Sequence, residues 1–290
     1  MKKFIFFLLI ICAFFFTGCR GSYEKYDETD FIVGKGEFEA DIKYLEINWH
    51  TGNINIIYED VEVIKLLETS KYVIDSNMSL RYKLTNSVLV VRYAQSGLLL
   101  PAAQMEKDLT IVLPREYELD NIYIKNITGD ISSNVYSDNM YIETVTSNVN
   151  IDTEYEESSF EIKNVTGDVD IKCFDINKLN VECVTGDVDV FCRVVKGGVY
   201  AEITTGEFEL ESAFFVGEGR VNITNGEIDI INNNFNDILI KYSVVTGDVT
   251  ILNQKHSGGS GEVKIGQGSR TLDLSIVTGD IDVIDTQLGE

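Results

Sequence analysis

Val165-Thr166-Gly167-Asp168-Val169-Asp170-Ile171 and, nineteen residues further on, Val184-Thr185-Gly186-Asp187-Val188-Asp189-Val190 are two copies of one phrase. Further copies stand at Ile127-Thr128-Gly129-Asp130-Ile131, Val245-Thr246-Gly247-Asp248-Val249 and Val277-Thr278-Gly279-Asp280-Ile281-Asp282-Val283. Worn copies stand at Val145-Thr146-Ser147-Asn148-Val149, Thr204-Thr205-Gly206-Glu207-Phe208 and Thr224-Asn225-Gly226-Glu227-Ile228. From Gly129 to Gly247 the steps are 18, 20, 19, 20, 20 and 21 residues, with Ser147 in the second place, and a last step of 32 reaches Gly279. A period this regular marks a chain of stacked coils.

Within each copy the residues two and four after the glycine are apolar, as Val188 and Val190, and so are those seven and five before it, as Leu179 and Val181. Period two puts them on one face of each strand, the inward one. The glycine supplies a positive φ at a corner, and the flanking threonine and aspartate suit a turn. The fold expected is all-β, a parallel β-solenoid of about 20-residue coils, right-handed on general grounds, its consecutive coils stacked in sequence order one strand spacing apart. Eight coils would make a rod of about 38 Å.

Ahead of the repeats, residues 35–121 read as a β-rich region holding the first coils. It contains Leu45-Glu46-Ile47-Asn48-Trp49, an early unit Thr51-Gly52-Asn53-Ile54-Asn55-Ile56, and strand-like runs near Val61–Leu67, Met78–Leu84 and Val88–Tyr93. Residues 122–287 are the repeat solenoid proper. The insertion starting at His256-Ser257-Gly258-Gly259-Ser260-Gly261 lacks the helix that a phosphate loop needs, and reads as a turn or end cap. Leu98-Leu99-Leu100-Pro101-Ala102-Ala103 reads as an apolar loop folded over the end of the core.

The chain opens with Lys2-Lys3 and an apolar run from Phe4 to Phe16, 13 residues and too short to span a bilayer as a helix. Residues 1–18 read as a signal peptide. Its end, Phe16-Thr17-Gly18-Cys19, resembles the lipobox of bacterial lipoproteins, which implies lipidation of Cys19, a tether over residues 19–34 and a place outside the cytoplasm, held to the cell membrane.

The sequence has 24 basic and 47 acidic residues; without residues 1–18 it keeps 22 basic ones and a net charge of −25. That excludes nucleic acid and anionic lipid headgroups as electrostatic partners. It leaves the membrane, reached through the lipid, and a cationic or cell-wall ligand or another envelope protein. Cys173, Cys183 and Cys192 are an odd set, and the first and last hold equivalent places in successive repeats, as free core thiols would. With only His50 and His256 there is almost nothing for a histidine-based metal or catalytic site.

The outward places one and three after the glycine carry the most suggestive pattern. In the middle repeats they hold Asp168, Asp187 and Glu207, then Asp170, Asp189 and Glu209. Stacked ~4.8 Å apart, such carboxylates repel by about 0.9 kcal/mol per adjacent pair even at the dielectric of water. A cation would relieve them, and oxygen-only ligands suit calcium, so these six residues are the candidate metal site and calcium the one candidate cofactor. A polysaccharide-active enzyme of β-helix type is the rival reading, since such enzymes use paired carboxylates. It requires one or two repeats to depart from the pattern with basic or aromatic side chains beside acids; near-uniform copies argue for a non-catalytic binding or scaffold module.

The order of motifs also resembles a known family. The Gly52-Asn53-Ile54-Asn55-Ile56 unit, a strand ending in Leu113-Pro114, Leu119 entering the next, the T-G-D repeats and the closing glycine-rich piece are similar to the bacterial putative adhesin domains of unknown function, over residues 35–287. The resemblance implies a β-solenoid at the cell surface.

Overall fold

Alternation of apolar and polar residues becomes strand almost without interruption. The computed structural model describes residues 24–98, 106–233 and 235–287, and within them it has twenty strands in one continuous hydrogen-bonded system and no helix. Leu179, Val181, Val188 and Val190 are buried, as are their equivalents Phe160, Ile162, Val169 and Ile171, so the inward face is the one that the period marks. Strands run through the corners. Val188–Phe215 is continuous over 28 residues, past Gly206. The return segments are less polar inside than the sequence suggests: Val135, Ile176, Val195, Phe215 and Phe235 line a third wall of the core. Asp175 is buried there too, held by Arg193 at 2.8 and 3.0 Å and by Lys196 at 2.9 Å.

The corners show why glycine recurs. Gly186 has φ +145°, and a Cβ built on it would lie 2.1 Å from the carbonyl oxygen of Gly167 in the coil below. Positive φ and backbone-on-backbone stacking therefore both require the missing side chain. Ser147 makes its corner differently. It is absent from the positive-φ residues, and its buried hydroxyl meets that of Thr144.

Coils named by their corner residue stack in the order Lys107, Gly52, Gly129, Ser147, Gly167, Gly186, Gly206, Gly226, Gly279, Gly247. Ten coils span about 43 Å between the outermost. The expectation of strict sequence order fails at both ends. Strand Arg270–Asp285, around Gly279, lies between Glu218–Asn232 on one side and Ile238–Thr246 with Val249–Ile251 on the other. The step of 32 residues before Gly279 supplies the chain needed to pass around the outer coil and return beneath it. At the other end the coil of Val88–Arg92 and Asp108–Pro114 lies outside that of Tyr44–Asn48 and Ile54–Glu59.

Antiparallel strands close both ends, which leaves no long parallel edge open for pairing. Gly259–Lys264 covers Ile238–Thr246, and Gln254–His256 covers Val249–Ile251, so the glycine-rich insertion is an end cap. At the opposite end Arg81–Thr85 covers Val88–Arg92 and Ile64–Thr69 covers Asp108–Pro114. Ile32–Val33 and Gly36–Phe38 are the outermost strands.

Two features of this end depart from the sequence reading. The first corner is Lys107, a buried lysine whose ammonium donates to the Glu68 carboxylate and to the carbonyls of Met78 and Tyr93, beneath the rings of Trp49 and Tyr93. Burial, more than Glu68 can offset, lowers its pKa to about 8. The second is the tether expected over residues 19–34. From Glu24 onward the chain is already bound to the fold, Tyr26 through Ser96 at 2.8 Å and Ala94 at 2.6 Å, and Val33 opposite Arg81. Cys19 and the apolar residues 99–103 lie outside the described residues. The stack passes from Leu119–Lys125 to Ser137–Thr146 without a break, so residues 35–121 and 122–287 share one core.

Candidate functional site

The strands on the two sides of each corner carry opposite kinds of surface. Before the corner, outward charges are paired across coils: Lys125 with Glu143 at 3.3 Å, Lys163 with Glu182 at 3.5 Å, Arg220 with Asp273 at 3.6 Å, and Arg92 with Glu46. After the corner the outward columns are acidic. Among the described residues, none of the carboxylates one or three places after a corner forms an ion pair.

The first column is built into the scaffold. A side-chain oxygen of each aspartate or asparagine accepts the backbone N–H of its equivalent in the next coil. Asp168 accepts from Asp187 at 3.0 Å and Asp187 from Glu207 at 2.8 Å, as Asp108 does from Asn53, Asn53 from Asp130, Asp130 from Asn148, Asn148 from Asp168 and Asp280 from Asp248, all at 2.7–3.0 Å. This is the structural work of the D in T-G-D, and it explains Asn53 and Asn148: an amide oxygen accepts as well as a carboxylate does. One carboxylate oxygen is used, while the charge stays on the exposed surface.

All six acids singled out from sequence lie in these columns, Asp168, Asp187 and Glu207 in the first, Asp170, Asp189 and Glu209 in the second, with Asp170 directly opposite Asp189. The tightest gathering is elsewhere. Because the Gly279 coil sits on the Gly226 coil, Asp229 faces Asp282 and Glu227 faces Asp280, and carboxylate oxygens of Glu227, Asp229 and Asp282 lie within 4.8 Å of one another. Partial burial, then repulsion from Glu227, Asp282, Glu209 and Glu207, raises the Asp229 pKa to about 6. Glu227 and Asp189 are raised for the same reasons, burial first and neighbouring carboxylates second. These are the oxygen donors that could hold a hard cation.

The exterior is not uniform all round. On the return side Lys172, Phe174, Phe191, Arg193 and Glu211 line an open cleft of about 460 Å³, with Arg193 4.0 Å from the Phe174 ring. The signal was present in the exposed Phe174 and Phe191, which stand where other coils place polar residues. Arg193 is committed to Asp175, and the adjoining Cys173 and Cys192 are free thiols buried in the core. Burial pushes the Cys192 thiol up to about 12 and the Cys173 thiol higher, and Cys183 stands at about 11 for the same first cause. None of the three is poised as a nucleophile.

The architecture defines a parallel β-solenoid domain with one acidic side. The family model of the Toastrack DUF4097 domains matches residues 42–284, and the chain belongs to that family. Among solved structures it is similar to a putative cell adhesion protein from Clostridium sporogenes, 12% identical over 88% of this chain and 100% of that one, with a TM-score of 0.25. It is also similar to a putative adhesin from Bacteroides fragilis, 12% identical over 88% of this chain and 97% of that one, with a TM-score of 0.35. No curated protein matches the chain.

Proposed function

We propose that the chain is a non-catalytic surface lipoprotein of the bacterial envelope, held by a lipid on Cys19, whose solenoid presents its acidic side to cationic partners. The observation that supports this most is the contrast between the two strand faces: charges are matched on one and left unpaired in adjoining columns on the other. A basic peptide, a cationic wall polymer or a basic patch on another envelope protein has the complementary chemistry. The buried thiols and the commitment of Arg193 to Asp175 support the absence of catalysis.

Polylysine serves as the probe. It should bind the protein with an affinity that falls steeply with salt, and the amide variant Asp168→Asn, Asp187→Asn, Glu207→Gln, Glu227→Gln should lose most of that binding while keeping its fold, since Asn53 and Asn148 show that an amide maintains the corner bond. Unchanged binding by the amide variant rejects the acidic face as the working surface. Metabolic labelling with a fatty-acid analogue should mark the native chain and not Cys19→Ala; equal labelling rejects the anchor.

A further inference from the structure

The point at which the chain enters the fold is fixed. The Glu24 carbonyl accepts from the Gly97 amide at 3.2 Å, and its carboxylate accepts from Asn48. Tyr26 is bound to Ala94 and Ser96, and the Ser96 amide donates to Glu28 at 2.6 Å. From Cys19 to Glu24 are five residue steps, which span at most about 18 Å when fully extended. On the reading that Cys19 carries the lipid, this end of the solenoid cannot lie further than that from the headgroups.

The same segment that holds the entry point also holds an apolar loop. Between Ala94 and Ser96, the Gln95 amide donates to the Asn77 carbonyl at 2.9 Å, closing the loop that carries Lys71-Tyr72-Val73-Ile74. Val73 is 93% exposed and Tyr72 40%. Beyond the loop, Leu80 accepts from Gly34, next to Ile32 and Val33, both half-exposed on the outermost strand. An aliphatic tip beside a tyrosine and a lysine is the composition of a segment lying in a membrane interface. Charge is distributed to match. Residues 24–98 hold 13 acidic and 8 basic residues, a net −5, whereas residues 99–290 hold 34 and 13, a net −21. The end near the entry point is thus the one that approaches a lipid surface with least repulsion.

We infer that the Tyr72–Ile74 loop is a second membrane contact, inserting its apolar tip into the outer surface of the bilayer that holds Cys19. The inference rests on the anchored reading and adds an orientation to it: the Lys107 coil faces the lipid, and the Gly247 coil with its hairpin caps faces away. A single lipid would leave the solenoid free to swivel, whereas two contacts on one end hold the acidic columns pointing outward, where a cationic partner arrives.

The test uses the full acylated chain in vesicles of phosphatidylcholine and phosphatidylglycerol. An environment-sensitive fluorophore is placed on Val73→Cys or, as the distal control, on Val245→Cys, which is 75% exposed. The three core thiols are buried and do not compete for label. The expected result is that both proteins float with the vesicles, the label at 73 is blue-shifted and quenched by brominated acyl chains, and the label at 245 is neither. Flotation with no quenching at either position overturns the loop contact and leaves the anchor standing. A blue shift at 73 without bromolipid quenching places protein against the loop in place of lipid, and also overturns it. Failure to float removes the anchor and the inference with it.

Discussion

Gly186→Ala is the sharpest test of how the coils stack. The alanine must hold φ near +145°, which costs about 1–3 kcal/mol for a residue with a side chain. Its Cβ starts 2.1 Å from the Gly167 carbonyl oxygen, so the two coils must part by roughly 1 Å at that corner. Two bonds there lengthen, Gly186 N–H to Thr205 at 3.1 Å and Gly167 N–H to Thr185 at 3.0 Å, each with a net contribution of about 1 kcal/mol. The total is about 3–5 kcal/mol. Gly259 provides the control: its φ is +108°, but an added Cβ would meet nothing within 4 Å, so Gly259→Ala isolates the backbone cost. Urea denaturation followed by far-ultraviolet circular dichroism, with Trp49 fluorescence as a second probe, reads both. Equal losses for Gly186→Ala and Gly259→Ala would refute the stacking argument and leave only conformational preference.

Three other outcomes are expected. Val188→Asp should cost several kcal/mol by placing a carboxyl in the core, while Asp189→Asn should be neutral or slightly stabilising because it removes one rung of a repulsive column; comparable losses would reverse the inward and outward assignment. Because the Asp229 pKa is raised in the fold, the folded state binds more protons than the unfolded state between the two pKa values, so stability should rise as pH falls from about 7 to about 5. It should fall again in stronger acid, where Asp175 is protonated: burial alone would raise that pKa, but its bonds from Arg193 and Lys196 outweigh burial and hold it low. Asp229→Asn should flatten the rise, and an unchanged pH profile would show that this carboxyl is not its source. A calcium site in the columns would make millimolar calcium raise the melting temperature beyond magnesium at matched ionic strength, and Asp229→Asn with Asp282→Asn should cancel the excess; equal shifts for both ions reduce the columns to solubilising charge.

Much of this was written in the sequence because a solenoid is nearly one-dimensional. Period two placed Val188 and Val190 inside and Asp189 outside with no knowledge of the rest of the chain, and the repeat length set the coil. Stacking order was a different matter. Every T-G-D coil offers its neighbours the same corner, so local pattern cannot say whether Gly279 or Gly247 lies on Gly226; only the 32-residue step hinted at it. The six acids were legible one column at a time, but the cluster of Glu227, Asp229 and Asp282 joins residues 53 apart and exists only through the exchanged order. The bond from each aspartate to the next corner amide was foreshadowed by Asn53 and Asn148, which keep the oxygen and drop the charge. Lys107 was hidden because a lone lysine before an aspartate looks like surface, and its burial depends on Glu68 and two distant carbonyls.

The acidic side as described depends on the last coil lying between its two predecessors, and paired cysteines read that placement directly. Asp229 and Asp282 are register partners on adjacent strands, whereas Thr250 pairs with Asp282 and so lies two spacings, roughly 10 Å, from Asp229. In Asp229→Cys/Asp282→Cys a cross-linker spanning one strand spacing should join the two thiols quickly under native conditions, and in Asp229→Cys/Thr250→Cys it should not. Rapid joining of 229 to 250 with none between 229 and 282 would restore sequence order to the stack, separate Asp282 from Glu227 and Asp229, and contradict the account.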